Sequence, residues 1–320
     1  MGAPDRGTMI RSNRPAPIRA DAPGSVLDGM VAMSAAMILL PVGDALAKLL
    51  TGTVAPLEVT FWRLAAQVLW LVPVAVLLRR QLLGRMFSPI VALNGLLMTL
   101  TLVSLISAFA AMPIATAIAI FFVEPLLLTL LAVPLLGERL GPRRLVAVGV
   151  GLIGAMIVIR PGFAAFGPAA LFPLGAALAY ALNMIVLRRA TATRTALTVQ
   201  LGASIYGALA MGLVLAGLWA AGRIELAMVG APGWHWAAIL GAGATAITAF
   251  VLIAEAFRRA EAGLLAPLQY LEIVGATVVG YLVFGDFPDA LTWLGVAIIL
   301  GSGLYVIHRG RVASRGQPAP

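Results

Sequence analysis

Two segments of this sequence align without a gap when the chain is shifted by 148 positions. Residues 121–138, FFVEPLLLTLLAVPLLGE, fall on residues 269–286, QYLEIVGATVVGYLVFGD, and Glu124 meets Glu272. The same shift pairs Thr129 with Thr277, Gly137 with Gly285, Val148 with Val296, Leu152 with Leu300 and Val158 with Val306. Self-similarity at a fixed spacing indicates an internal duplication. We therefore expect a fold built from two related halves.

Apolar runs of about 20 residues recur through both halves, which is the length that a helix needs to cross a hydrocarbon core. Hydrophobic residues make up 61% of the chain and charged residues only 11%, whereas about 25% of the residues in soluble domains are charged. We predict an all-α integral membrane protein with ten transmembrane helices. Their expected ranges are 26–50, 57–78, 89–111, 114–136, 145–159, 168–187, 196–220, 236–257, 262–284 and 291–307.

The arginines cluster in alternate connections between these predicted helices. If the N-terminus is cytoplasmic, Arg160 and Arg223 are the arginines on the outside. The inside then holds Arg6, Arg11, Arg14, Arg19, Arg79, Arg80, Arg85, Arg139, Arg143, Arg144, Arg188, Arg189, Arg194, Arg258, Arg259, Arg309, Arg311 and Arg315. Because positively charged loops stay in the cytoplasm, we expect both termini to be cytoplasmic.

Each half holds five predicted helices, an odd number, so the second copy is expected to cross the membrane in the opposite direction. The charges agree, because basic ERLGPRR after helix 4 corresponds to acidic DFPDALT after helix 9. Inverted repeats of this kind build many secondary transporters, whose binding sites lie near mid-membrane where the repeats meet. The predicted division is a disordered cytoplasmic tail at 1–24, a first repeat at 25–162, a second repeat at 163–309 and a cytoplasmic tail at 310–320.

Glu124 and Glu272 each lie near the middle of a predicted span. A charged side chain there costs at least roughly 2.5 to 3.5 kcal/mol, and such residues usually face a protein interior or a water path. Gln269 lies three positions before Glu272, on the same side of a helix, and Tyr270 is adjacent to it. We predict that Glu272 is the principal proton-responsive group and that Glu124 is its helper in the first repeat. The alternative is that both are structural acids, held by hydroxyls or by the backbone of another helix.

Proline accompanies both acids. Pro125 follows Glu124 directly, and Pro267 comes shortly before Glu272. Proline has no backbone N–H and interrupts the hydrogen-bond pattern of a helix. The sequence therefore predicts an opening in each helix near its carboxylate, where freed carbonyl groups are available to a solute or a hinge.

A second polar group lies in the first two predicted helices, with Asp44 and Lys48 in helix 1 and Glu58 and Arg63 in helix 2. Asp44 and Lys48 are four positions apart and can pair on one helix face. Arg63 lies too deep in its apolar run to reach the membrane surface. This mixture of charges suits a zwitterionic or carboxylated solute, and it equally suits a structural network that neutralises itself.

Tyr180 and Asn183 form a third candidate pair in predicted helix 6. They are three positions apart, at the place that corresponds roughly to Asp44 in helix 1. Hydroxyls such as those of Ser204 and Thr245 are weaker candidates, because serine and threonine commonly bond to their own helix.

Several other functions have no support in the sequence. The chain has no cysteine, and its two histidines, His235 and His308, stand at the edges of apolar runs, so we expect neither a metal nor a cofactor. A net charge of +9 is spread in twos and threes between the spans, which is typical of topology signals and not of nucleic-acid binding. No phosphate-binding loop or hydrolase motif is present. An intramembrane enzyme, a channel and a purely structural membrane protein are the remaining alternatives to a carrier.

Two long segments carry a family resemblance. They are VEPLLLTLLAVPLLGERLGPRRLVAVGVGLIGAMIVIRPG and APLQYLEIVGATVVGYLVFGDFPDALTWLGVAIILGSG. Together with ten helices in inverted halves, they resemble the EamA family of the drug/metabolite transporter superfamily over residues 26–307. DALAKLL, LEVTFWR, and APLQYLE with FGDFPD are similar to a bacterial subgroup that includes S-adenosylmethionine uptake carriers and riboflavin importers.

The resemblance implies a carrier of a small-molecule solute in the bacterial inner membrane. Such carriers work by alternating access, for import or export, often with coupling to protons or exchange and without ATP. A homodimer is compatible with it. The resemblance also makes the polar residues within the spans the expected contacts of the solute.

Overall fold

The computed structural model describes residues 23–137 and 141–315, and the regular elements in those ranges are all helical. The α-helices are α1 Pro23–Thr51, α2 Pro56–Leu77, α3 Pro89–Ala111, α4 Ile114–Phe121, α5 Glu124–Leu136, α6 Pro142–Phe166, α7 Phe172–Ala190, α8 Ala196–Ala220, α9 Gly233–Arg259, α10 Ala262–Leu265, α11 Leu271–Phe284 and α12 Ala290–Arg315. Three short 3-10 segments are Arg79–Gln81, Gly167–Leu171 and Ala266–Tyr270. Most of the predicted first tail and Arg139 lie outside the described residues.

Eight helical segments among the described residues are long and apolar enough to cross a membrane. Two more apolar stretches, Leu145–Ile159 and Ala290–Val306, are shorter and lie within α6 and α12, where the fifth and tenth spans were predicted. The chain is therefore a multi-pass helical membrane protein. The helical turns continue to Arg315, beyond the predicted end at residue 307, so the first part of the expected second tail is helical.

The predicted helices over 114–136 and 262–284 are both interrupted. The first is divided at Phe122 and Val123 into α4 and α5. The second consists of α10, the 3-10 segment Ala266–Tyr270 and α11. Pro125 and Pro267 each stand in the first two positions of the segment that follows a break, so the predicted openings are confirmed. Each proline removes a backbone donor and crowds the preceding turn.

The same local contacts follow both breaks. Thr129 donates to the Pro125 carbonyl at 2.8 Å and, 148 positions later, Thr277 donates to the Ile273 carbonyl at 2.9 Å. The two helices end alike, at glycines with left-handed backbones, with φ of 70° at 137 and 73° at 285. Glycine is the residue that adopts this conformation without strain. The duplication seen in the sequence is therefore present in the local structure.

The helices of the two halves also pack in matching pairs. α1 packs against α9 and α11, and the equivalent helix of the second half, α7, packs against α3 and α5. α2 packs against α9 and α8, and α3 packs against α8. The last helices of the two halves, α6 and α12, pack against each other.

Small residues line the contact between α6 and α12. Ser302 Oγ donates to the Ala147 carbonyl at 2.6 Å, and a Cβ added to Gly154 would lie 3.1 Å from the carbonyl oxygen of Gly295. Under the shift of 148 positions, Gly154 corresponds to Ser302 and Ala147 corresponds to Gly295. The two contacts are therefore copies of each other with the partners exchanged, and both depend on small residues that let the helix backbones approach.

Candidate functional site

Asp44 and Arg63 form an ion pair between α1 and α2. Arg63 Nη2 donates to Asp44 Oδ1 at 2.9 Å, and the two side chains are only 6% and 10% exposed. The other terminal nitrogen, Nη1, is buried and has no hydrogen-bond partner among the described residues. A buried donor without an acceptor costs about 1 to 3 kcal/mol, so this nitrogen is available to an acceptor that the protein itself does not supply.

Lys48 does not pair with Asp44, contrary to the expectation from their spacing. Its Nζ lies 3.0 Å from Asp286 Oδ2 and donates to the Met112 carbonyl at 3.0 Å. It also lies over the Phe284 ring, 4.7 Å from the centroid. Asp44 is already occupied by Arg63, and Lys48 is one turn nearer the end of α1, within reach of the connections after α3 and α11.

Glu58 is held by backbone groups and not by the other charges of the second polar group. Its side chain is fully buried. Its two oxygens accept from the N–H groups of Ala227 and Met228 at 2.9 and 3.0 Å, and from the Trp62 indole at 3.4 Å. These bonds fix the connection before α9 against the start of α2. This supports the structural alternative for Glu58.

Glu124 and Glu272 both lie in the first turn of the helix that follows a break, α5 and α11 respectively. Both residues are half-buried. The charge of Glu272 interacts with those of Glu124 and Asp44. Within the described residues no protein donor forms a hydrogen bond with either glutamate carboxyl, so the structural alternative, in which such bonds hold the acids, gains no support.

Aromatic rings surround the breaks. The Phe121 ring contacts the Tyr180 ring with centroids 5.6 Å apart, and the Phe122 ring contacts the Tyr270 ring at 5.5 Å. Both tyrosines interact electrostatically with Glu124. The Tyr270 hydroxyl lies against Gly303 of α12, where a Cβ would overlap it. Aromatic faces and the hydroxyls of two tyrosines therefore lie near the breaks that carry Glu124 and Glu272.

The remaining candidates, Asn183 and Gln269, differ from the pairs that the sequence predicted. Asn183 and Asn94 each donate a side-chain amide N–H to the other's carbonyl, at 2.8 and 3.3 Å, which fastens α7 to α3. This supports a structural role for Asn183. Gln269 lies in the 3-10 segment and is exposed, whereas Glu272 is half-buried in α11, so the continuous α-helix assumed for this pair is absent.

A cavity of about 190 Å³ lies beyond Glu124, between α5 and α7. Thr129, Ala132, Met184 and Arg188 are among the residues that line it. It extends along the two helices away from the aromatic rings.

Several site residues were missed by the sequence prediction. Phe121 and Phe122 stand three and two positions before Glu124 in the repeated segment, so their position was visible. Asp286 was visible as the last residue of the matching segment, but nothing in the sequence identified Lys48 as its partner. Asn94 and Gly303 carried no signal beyond their residue type.

Known proteins resemble this chain over both of its halves. The EamA-like transporter family matches residues 27–160 and again 167–307. The chain is 27% identical to the S-adenosylmethionine uptake transporter of Rickettsia prowazekii (strain Madrid E) over 90% of this chain and 95% of that protein. It is 31% identical to the riboflavin transporter of Rhizobium johnstonii over 67% of this chain and 68% of that protein.

A solved crystal structure shows a related fold, with 24% identity, a TM-score of 0.60, and coverage of 89% of this chain and 97% of the other. The family matches together take in nearly all of the described helices, and each match covers one of the two halves. This chain therefore belongs to the EamA-like transporter family.

Proposed function

We propose that this protein is a secondary-active carrier that moves a small polar organic metabolite across the bacterial inner membrane by alternating access, driven by protons or by exchange. The observation that carries the proposal is the buried ion pair of Asp44 with Arg63, together with Glu124 and Glu272 at the breaks of two interrupted helices. Ionisable groups inside a membrane protein mark solute or proton paths, and broken helices at mid-membrane are the usual binding elements of secondary transporters.

Inverted five-helix repeats suit such a mechanism. The exchanged contacts between α6 and α12, and the matching pairs of α1 with α9 and α7 with α3, support a two-fold relation between the halves. An odd number of spans in each half would place that axis in the membrane plane. Rocking of one half against the other then exposes a fixed central site to each side in turn.

A solute derived from an amino acid, such as S-adenosylmethionine, is the favoured cargo. Its carboxylate would accept from Arg63 Nη1, which has no partner among the described residues. Its amine or sulfonium would lie against Glu124 and Glu272, and cations of this kind also bind aromatic faces such as those of Tyr180 and Tyr270. The relative from Rickettsia prowazekii is named for uptake of this compound.

Riboflavin is the second candidate, because aromatic rings are close to the acids. The contacts of Phe121 with Tyr180 and of Phe122 with Tyr270 provide faces on which a flat ring system can stack. The relative from Rhizobium johnstonii is named a riboflavin transporter. A flavin would use the aromatic faces more than the charge of Arg63.

The same proposal includes the orientation of the chain in the membrane and the choice of a carrier over an enzyme. The arginine distribution supports cytoplasmic termini, and the division at residues 25–162 and 163–309 follows the two repeats. The acids lack a neighbouring nucleophile with its base in the sequence, which favours a carrier over an intramembrane enzyme.

A thermal-shift screen of the purified protein tests the proposal, since a ligand that binds the folded state raises apparent stability. S-adenosylmethionine, S-adenosylhomocysteine, methionine and riboflavin form the first panel. S-adenosylhomocysteine lacks the sulfonium charge and is the matched control for recognition by the carboxylates. Saturable uptake of the stabilising compound into proteoliposomes is the expected second result. Uptake that rises linearly with concentration would indicate a channel and overturn the carrier.

A further inference from the structure

The two interrupted helices are covered unequally, although they are copies of each other. Ile118, Ala119 and Ile120 of α4 are at most 1% exposed. Shifted by 148 positions, they correspond to residues 266–268 in the 3-10 segment, where Pro267 is exposed and its two neighbours are half-buried. Phe121 is half-buried, and the residue that corresponds to it, Gln269, is exposed.

Gln269 is exposed and lies three positions before Glu272, an acid within a membrane span, which indicates that water reaches Gln269. Hydrocarbon offers no hydrogen bonds to an amide, so polar groups at this depth face protein or a water-filled space. The bundle is therefore open at the Gln269 end of the site and closed at the α4 end.

The closed end carries an ion pair that links the two repeats. Lys48 of the first repeat bonds to Asp286 of the second at 3.0 Å, and the same ammonium group donates to the carbonyl of Met112, next to the start of α4. One lysine thus holds together the ends of α1, α3 and α11. The side chains are 15% and 32% exposed, unlike the almost fully buried pair of Asp44 and Arg63.

We propose that Lys48 and Asp286 form the gate that closes this end of the transport path, so that breaking their ion pair shifts the protein toward the conformation open at the Asp286 end. This rests on the proposed alternating-access function, whose orientation places Asp286 on the outer side. A partly exposed pair of this kind biases an equilibrium by about fivefold or less. That is enough to hold a resting state, and small enough for solute binding to overcome.

Thiol labelling tests the gate in this cysteine-free chain. Ala115 is 2% exposed and lies in the first turn of α4, three residues after the Met112 carbonyl that Lys48 binds, so Ala115→Cys provides a buried probe close to the gate. A membrane-impermeant thiol reagent is applied to right-side-out and to inside-out vesicles. With Asp286→Asn we expect labelling from the Asp286 side to be faster by up to about fivefold, and Asp286→Glu, which keeps the charge, should restore the slow rate.

The matched control is Asp289→Asn. Asp289 lies in the same connection and accepts from the Thr292 N–H at 2.7 Å at the start of α12, and asparagine is an equally good cap. We expect no change in labelling. An equal increase with Asp289→Asn and Asp286→Asn, at unchanged melting temperature, would mean that any change in this connection loosens the end, and it would overturn the gate.

Lys48→Met provides a second, independent measurement. If the two charges act as one pair, Lys48→Met should increase labelling as Asp286→Asn does, and the double variant should increase it no further. Unchanged labelling in either single variant, or multiplicative effects in the double variant, would refute the pair. The labelling experiment needs no solute. Failure of uptake by the unsubstituted protein, together with faster labelling of the Asp286→Asn variant, contradicts the carrier. Normal uptake by the unsubstituted protein, together with unchanged labelling of that variant, contradicts the gate.

Discussion

Arg63 uses one terminal nitrogen to bind Asp44 and keeps the other buried without a partner among the described residues. A guanidinium has five N–H donors in a fixed plane, and the acid on α1 occupies only part of it. The pair is thus stable enough to exist without a solute and still has an unused donor for one.

Arg63→Gln should weaken binding of S-adenosylmethionine and also lower the melting temperature. Removing one partner of a buried ion pair costs about 3 to 5 kcal/mol, because the other charge is left without compensation. The double variant Asp44→Asn with Arg63→Gln no longer has the unpaired carboxylate of Asp44. We therefore expect its melting temperature to return close to that of the unsubstituted protein, while binding of S-adenosylmethionine stays weak. Melting curves with and without the ligand measure both effects. Normal binding by the stable double variant would show that Arg63 is purely structural.

Glu272→Gln should abolish accumulation of solute driven by a proton gradient. Glutamine imitates the protonated acid and cannot release the proton, whereas it keeps the size of the side chain. Exchange of solute across preloaded proteoliposomes needs no net proton movement and should remain in part. Accumulation with an unchanged pH dependence would contradict the proton role. Loss of both activities in a folded protein would instead indicate that Glu272 contacts the solute.

The matched variant for Glu272 is Glu124→Gln, because the two acids occupy the same position in the two repeats. We expect it to reduce accumulation less than Glu272→Gln does, since Glu272 interacts with the charges of both Glu124 and Asp44. A larger effect at Glu124 would reverse the assignment of the principal group.

Gly303→Ala should disturb Tyr270, whose hydroxyl occupies the space of the missing side chain. Overpacking of this kind costs about 1 to 3 kcal/mol, and it would move the Tyr270 ring from Phe122. The second change Tyr270→Phe removes the hydroxyl and should restore the melting temperature of Gly303→Ala. The same rescue should restore solute binding if the ring position matters and the hydroxyl does not. Absence of any rescue would mean that the alanine acts through another contact.

Ala164→Cys tests the proposed orientation. Ala164 is exposed near the end of α6, in the connection between the repeats that we expect outside. An impermeant maleimide should label it in intact cells, and should not label Arg85→Cys, placed in an expected cytoplasmic connection. Labelling of position 164 only after lysis would invert the topology.

The sequence predicted the breaks and their acids but not the pairing of charges. Glu124 and Glu272 stand out because carboxylates are rare in apolar spans, and Pro125 and Pro267 act on their own helices. Lys48 instead had two possible acidic partners, Asp44 four positions away and Asp286 in the other repeat. The choice depends on how α1 and α11 pack, which no local rule specifies. The main partners of Glu58 could not be predicted either, because they are the backbone N–H groups of Ala227 and Met228, and every residue except proline has such a group.

The contact between α6 and α12 has a consequence for how the chain is made. The small residues of α6, including Gly154, are synthesised long before their partners in α12, such as Gly295 and Ser302. Until α12 is made, the groove that the small residues form on α6 faces lipid or other cellular proteins. In that state the Ala147 carbonyl lacks the Ser302 hydroxyl that is bound to it in the finished protein. Assembly therefore finishes with the docking of α12, and a defect in that one helix leaves the groove of the first half open to wrong partners.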